Sequence, residues 1–165
     1  MTPTMSTSSN LQVAPRGDRE IIMTRTFNAP REKVFEAFTK PELVQQWLLG
    51  PPGWQMPVCQ MDVRVGGKYH WVWRSEKNGK EMGLGGEFRE VTPPSRLVHT
   101  EHWDDPWFPD GDSLVTTEFA DQHGKTALTV TILSPSKQAR DQMLQSGMET
   151  GVAASYDRME QLLAK

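Results

Sequence analysis

The stretch "HTEHW", residues 99–103, sets an imidazole and a carboxyl group two positions apart. Along a strand, side chains at i and i+2 share a face, so His99 and Glu101 project together, flanked by Leu97 and Trp103. In an apolar wall such a pair can serve as acid and base, because low polarity moves both groups off their ordinary pKa values. It can also anchor the polar head of a bound molecule, or stand in water at the open end of a sheet. His102 falls on the opposite face, so the two histidines do not chelate one metal. His-x-Glu also opens the zinc deaminase signature, but the accompanying Pro-Cys-x-x-Cys is absent and Cys59 is the sole cysteine. No metal and no cofactor are expected. "GLGGE" lacks the lysine and following helix of a phosphate loop, and no nucleophile elbow is present, so Cys59 reads as an inert thiol in a strand.

Apolar binding chemistry has more material. "KYHWVWRS" puts Tyr69, Trp71 and Trp73 on one face and His70, Val72 and Arg74 on the other. The aromatic face is the expected wall of a ligand cavity, with Phe88 and Phe119 as weaker members. His99, Glu101 or Arg74 would orient a polar end, Arg74 least of the three because it alternates away from the tryptophans. Met143, Met148, Val152 and Met159 recur at helical spacing and suit the opposite wall, where methionine adapts to varied shapes. "GPPGW" and "DDPWFPDG" are Pro-rich loops whose Trp54, Trp107 and Phe108, with Trp47, are placed at the cavity mouth. Each group has a plainer reading as ordinary core, helix stripe or loop packing.

The elements that must position these residues follow from periodicity and punctuation. "REIIMTRTFN" reads as a strand. "APREKVFEAFT" and "KPELVQQWLLGPPGW" read as short helices, started by Pro30 and Pro41, with Gly50-Pro51-Pro52-Gly53 as the stop. About six strands succeed them. Pro57 moves the first of these to an edge or a bulge, and Asn78-Gly79 marks a hairpin. Gly83, Gly85 and Gly86 require a sharp bend or a close approach within one strand. Residues after Ser134 form one long amphipathic helix, capped by Ser134 or Ser136 and interrupted by Gly147 and Gly151, which would pack closely on the sheet or bend the helix there. The fold class is α+β, with an antiparallel sheet of six to seven strands covered on one face by the last helix.

Length and composition set the outer limits. A chain of 165 residues is one domain. Residues 1–18, rich in Ser, Thr and Pro, read as a flexible tail and 19–165 as the domain. A formal net charge of -3 argues against a nucleic-acid or anionic-membrane surface. No apolar run reaches the roughly 18 residues of a membrane span, and no signal peptide is visible, so a cytoplasmic location without membrane insertion is expected. Six Trp and nine Met supply unusually large, polarizable side chains for irregular interior space.

The order of these segments is similar to a known family. "TRTFNAPREKVFEAFTKPELVQQWLLGP" resembles the opening of START-like (SRPBCC) domains, in particular the family named for the activator of the heat-shock chaperone ATPase. "VCQMDVRVGGKYHWVWR", "GGEFREVTPPSRLVHTEHW" and "GMETGVAASYDRMEQLL" resemble its later blocks, so the likeness spans about residues 19–164. The resemblance implies a helix-grip fold, in which a curved sheet wraps the C-terminal helix around a deep cavity that takes apolar or amphipathic small molecules. Some related domains act on polyketides or bind reactive natural products, and the eukaryotic namesake contacts a chaperone. The family has no invariant catalytic set, so no residue inherits a catalytic role. Leu48 and Met148 stand where many relatives carry aromatics, which implies a softer wall there.

Three functions are therefore expected. The first is non-enzymatic binding of an apolar small molecule. The second is an enzyme acting on a polyketide-like or aromatic substrate through His99 and Glu101. The third is a chaperone-contacting or homodimerising module, which requires an exposed apolar patch around Trp54 and Trp107.

Overall fold

Every second residue is buried along Glu20–Phe27 and again along Lys125–Leu133. Period-two burial arises when a sheet has one covered face. The computed structural model describes residues 10–104 and 111–165. The strands are β1 (Gln12–Arg16), β2 (Glu20–Phe27), β3 (Trp54–Met61), β4 (Lys68–Ser75), β5 (Glu81–Thr92), β6 (Arg96–Trp103), β7 (Ser113–Gln122) and β8 (Lys125–Leu133). They form one 8-stranded sheet in the order β1-β2-β8-β7-β6-β5-β4-β3. All neighbours pair antiparallel. Between β2 and β3 lie α1 (Arg31–Thr39) and α2 (Pro41–Trp47); α3 (Lys137–Gln145) and α4 (Met148–Leu163) close the chain.

The α+β helix-grip architecture stands, with two differences from the sequence reading. The sheet has an eighth strand, because Gln12–Arg16, inside the expected tail, pairs with β2 from Gln12↔Thr24 to Arg16↔Glu20. β1 leaves all its residues but Val13 exposed, so it shows no alternation, and Pro15 is tolerable on a strand that ends the sheet. Residues 1–9 lie outside the described residues.

The second difference is that the final helix is two helices. Gly147 adopts φ 84°, a left-handed conformation that a side chain resists, and it stands between α3 and α4. Ser136 caps α3, its hydroxyl accepting from the Ala139 N–H at 3.0 Å. Pro57 sits where sequence placed it, in the edge strand β3 at a register shift between Gln55 and Val58.

Two apolar clusters build the interior. One joins β2, β7 and β8 to α1 and α4 through Phe27, Phe35, Phe119, Leu128 and Met159, with Phe38 packed against it. The other joins α2 to β3, β4 and β5 through Val44, Met56, Trp73 and Leu84. α4 rests on α1, α2 and α3. The Gly50 N–H donates to the Ser155 hydroxyl at 2.8 Å, which ties the loop after α2 to α4. The helix is thus held by the other helices and, through Phe27–Tyr156 packing at 5.5 Å and the Arg25–Asp157 ion pair at 2.7 Å, by β2, and a hollow lies between it and the rest of the sheet.

Candidate functional site

β4, β5 and β6 run side by side, and the middle strand is nearly bare where the outer two interact. Tyr69 on β4 has Gly86 on β5 as its register partner. A Cβ at Gly86 would collide with the Thr100 carbonyl on β6. With no side chain there, Tyr69 reaches across β5, and its hydroxyl donates to the Thr100 carbonyl at 2.6 Å. The same oxygen lies 3.1 Å from His99 Nδ1, which is also 3.2 Å from the Thr100 carbonyl.

The hydroxyl has one proton and the carbonyl has none to give, so the imidazole must be the donor at Nδ1. This places a proton on Nδ1, and where the ring is neutral it leaves Nε2 as an acceptor. Burial supports the neutral form, pulling His99 down from an ordinary 6.5 to about 4 against the opposing hydrogen bond to Thr100. Burial also pushes the Tyr69 hydroxyl upward, with the Glu101 and Asp112 charges adding to it, so Tyr69 stays a donor.

Glu101 lies on the same face of β6, opposite Ser113 of β7. The residue is half-buried and lines the hollow. No hydrogen bond or ion pair to it occurs among the described residues. Desolvation alone raises it from 4.5 to about 7. Near neutrality it is therefore poised between acid and carboxylate, beside an imidazole that stays neutral.

The hollow is a cavity of about 460 Å³. Trp71 and Trp73 of β4, Met82 and Leu84 of β5, and His99, Glu101 and Trp103 of β6 form one wall. Met148, Val152 and Tyr156 of α4 form the facing wall, and Trp47, Leu48 and Leu49 close one side. Rings within the first wall pack on one another, with Trp71–Trp73 centroids 6.1 Å apart and Trp73–Trp103 centroids 6.2 Å apart. The Trp73 indole N–H donates to the Leu48 carbonyl at 2.7 Å, which fixes that ring. The Trp71 indole nitrogen is enclosed without a partner among the described residues.

Of the expected cavity residues, Trp71, Trp73, His99, Glu101, Trp103, Met148 and Val152 line this space together, and Leu48 lines it as well. Tyr69, Phe88 and Phe119 do not. Tyr69 and Phe88 pack with His99 behind the wall, at 5.1 and 6.0 Å between centroids. Phe119 packs on Phe35 and Phe38 below α1.

Trp47, expected at the mouth, is 2% exposed and anchored by its N–H to the Ala37 carbonyl at 2.8 Å, so it is wall rather than rim. Trp54 lines the cavity from the start of β3. Trp107 and Phe108 lie outside the described residues. The sequence reading missed Val115, Thr117, Val130 and Ile132, which line the floor of the cavity; their period-two spacing on β7 and β8 was the available signal. It also missed Tyr156, which sits on the same stripe of α4 as Val152.

The outer face carries a separate groove of about 680 Å³. There His70 bonds Asp104 at 2.7 Å and His102 bonds Asp112 at 2.8 Å, with Gly85 between the two strands. No three His, Cys, Asp or Glu side chains converge as a metal site among the described residues. No helix among them is long and apolar enough to cross a membrane. Val65 is the sole large hydrophobic that is well exposed among them, so the apolar patch that a docking module requires is not found at Trp54.

Comparison with known proteins adds context to this geometry. A family model described as "Activator of Hsp90 ATPase homolog 1-like protein" matches residues 28–164. The human protein "Activator of 90 kDa heat shock protein ATPase homolog 1" is 27% identical over 125 residues, 73% of this chain and 32% of that protein. The chain therefore spans about a third of the length of that relative. A crystal structure of a Rhodobacter sphaeroides protein is 30% identical with a TM-score of 0.86, covering 94% of this chain and 99% of that one. A Chromobacterium violaceum protein is 26% identical with a TM-score of 0.79, covering 89% and 98%.

Proposed function

The chain belongs to the Activator of Hsp90 ATPase homolog 1-like family, and from that premise we propose that it binds an apolar or amphipathic small molecule between its sheet and α4. Family and fold frame it as a ligand-binding or chaperone-related module. The observation that carries the binding reading is the cavity of about 460 Å³, walled by indoles and methionines, with a single carboxyl that no neighbouring residue engages among those described. Pockets of this kind draw affinity from apolar contact and orientation from a few polar groups. A guest burying about 200 Å² of apolar surface gains about 5 kcal/mol before the costs of association.

The test is native mass spectrometry of freshly purified protein, with extraction of whatever co-purifies, beside a Val152→Trp variant that fills the cavity from α4. Wild type should carry or take up an apolar guest, and the variant should fold and take up none. Equal uptake by both would end the proposal.

A second reading has one observation behind it. Glu101, raised to about 7, is suited to proton transfer on a bound aromatic or polyketide-like substrate, with neutral His99 as acceptor. Turnover unchanged in the double variant Glu101→Gln, His99→Asn would rule it out. Chaperone contact is what the human relative's name suggests, and no surface among the described residues singles it out.

A further inference from the structure

We infer that the preferred occupant of the cavity is a lipophilic organic cation, an amine or quaternary ammonium with an apolar body, its charge held against Glu101 and its body against Trp71, Trp73 and Trp103. This rests on reading the cavity as a small-molecule site, and it names the chemical class.

The argument starts from charge. Glu101 is the acidic group in the lining, and no Lys or Arg lines the cavity among the described residues. The buried arginines are engaged elsewhere: Arg25 with Asp157 at 2.7 Å, and Arg140 with the Gly17 and Glu20 carbonyls at 3.1 and 3.0 Å. His99 does not supply the missing charge, because burial keeps it neutral against the opposing hydrogen bond to the Thr100 carbonyl. A carboxylate in an apolar enclosure is costly unless a cation meets it. An anionic guest would add a second uncompensated charge, so fatty acids and other carboxylates are disfavoured.

The walls select in the same direction. Indole faces attract cations through the ring quadrupole, most strongly where water is excluded, and a carboxylate within an aromatic enclosure suits a soft, weakly hydrated ammonium. A neutral apolar guest would use the indoles but would leave the carboxyl without a partner.

Ligand binding then couples to one proton. Around Glu101 the titratable groups among the described residues are Tyr69 on β4, His99 on β6, Tyr156 on α4, and Asp112 before β7, which is engaged with His102. Burial holds both tyrosines protonated. The empty cavity keeps Glu101 protonated below about 7, and a cation displaces that proton.

Isothermal titration calorimetry tests this with benzyltrimethylammonium, its neutral carbon isostere neopentylbenzene, and phenylacetate, at pH 6 and pH 8. The quaternary ion does not titrate, so any pH dependence belongs to the protein. At pH 8 the cation should bind at least about tenfold tighter than the isostere, and about tenfold tighter than it does at pH 6. Phenylacetate should bind least. In Glu101→Gln the cation should fall to the level of the isostere and lose its pH dependence, while the isostere binds as before. An isostere that binds as tightly as the cation, or a cation indifferent to Glu101→Gln, overturns the cation assignment alone. Failure of every compound to bind wild type overturns the cavity reading and this inference with it.

Discussion

His99 and Glu101 carry opposite and nearly equal pH dependences of stability, and separating them is a stringent test of the site. Glu101 is raised from 4.5 unfolded to about 7 folded. Between those values the folded state holds a proton that the unfolded chain has released, so stability falls as pH rises, by about 1.4 kcal/mol per unit and about 3 kcal/mol in all. His99 is depressed from 6.5 unfolded to about 4 folded. Its contribution is complete above the unfolded value and is lost as pH falls through the folded one, again by about 3 kcal/mol. Where both apply, from 4.5 to 6.5, each state binds one proton at the pair and the slopes cancel.

The variants Glu101→Gln and His99→Asn each unmask the other partner, and Asn keeps an N–H near the Nδ1 position. Urea unfolding at half-unit steps through that window reads the difference between variant and wild type, which removes every other titrating group. The Glu101→Gln difference should climb with pH by about 1.4 kcal/mol per unit, and the His99→Asn difference should descend by as much. Two variant curves running parallel to wild type would refute the assigned protonation states.

Two further outcomes follow from local geometry. Gly86→Ala should destabilise by about 2–3 kcal/mol in urea, because its Cβ meets the Thr100 carbonyl and blocks the path of Tyr69 across β5; a loss under about 0.5 kcal/mol would contradict that crossing. Cys59 is raised from 9.0 to about 11, mainly by burial and then by the Glu42 charge. An aromatic disulfide reagent at pH 8 should therefore modify it about a hundredfold more slowly than it modifies the urea-unfolded chain; equal rates would show the thiol to be free.

Much of the architecture was legible because it rests on local rules. The alternation of "KTALTVTIL" gave β8 and its buried face, and Pro41 gave the start of α2. Family blocks spanning most of the chain gave the helix-grip fold before any contact was known. β1 was missed because an exposed edge strand has no buried face to write a pattern. The break at Gly147 was read only as an interruption, since a glycine within an apolar stripe can be a helix residue or a stop, and the choice depends on where each helix can rest.

The sequence alone determined that His99 and Glu101 share a face, that Trp71 and Trp73 share one too, and that glycines crowd a neighbouring strand. Those are consequences of strand geometry, which acts over two or three residues. Only the tertiary structure decided that Tyr69 reaches across β5 to His99, that the imidazole is neutral, and that Glu101 meets the cavity without a partner among the described residues. Periodicity fixes the side toward which a side chain points. Its protonation and partners depend on the atoms brought to it by strands and helices distant in the chain.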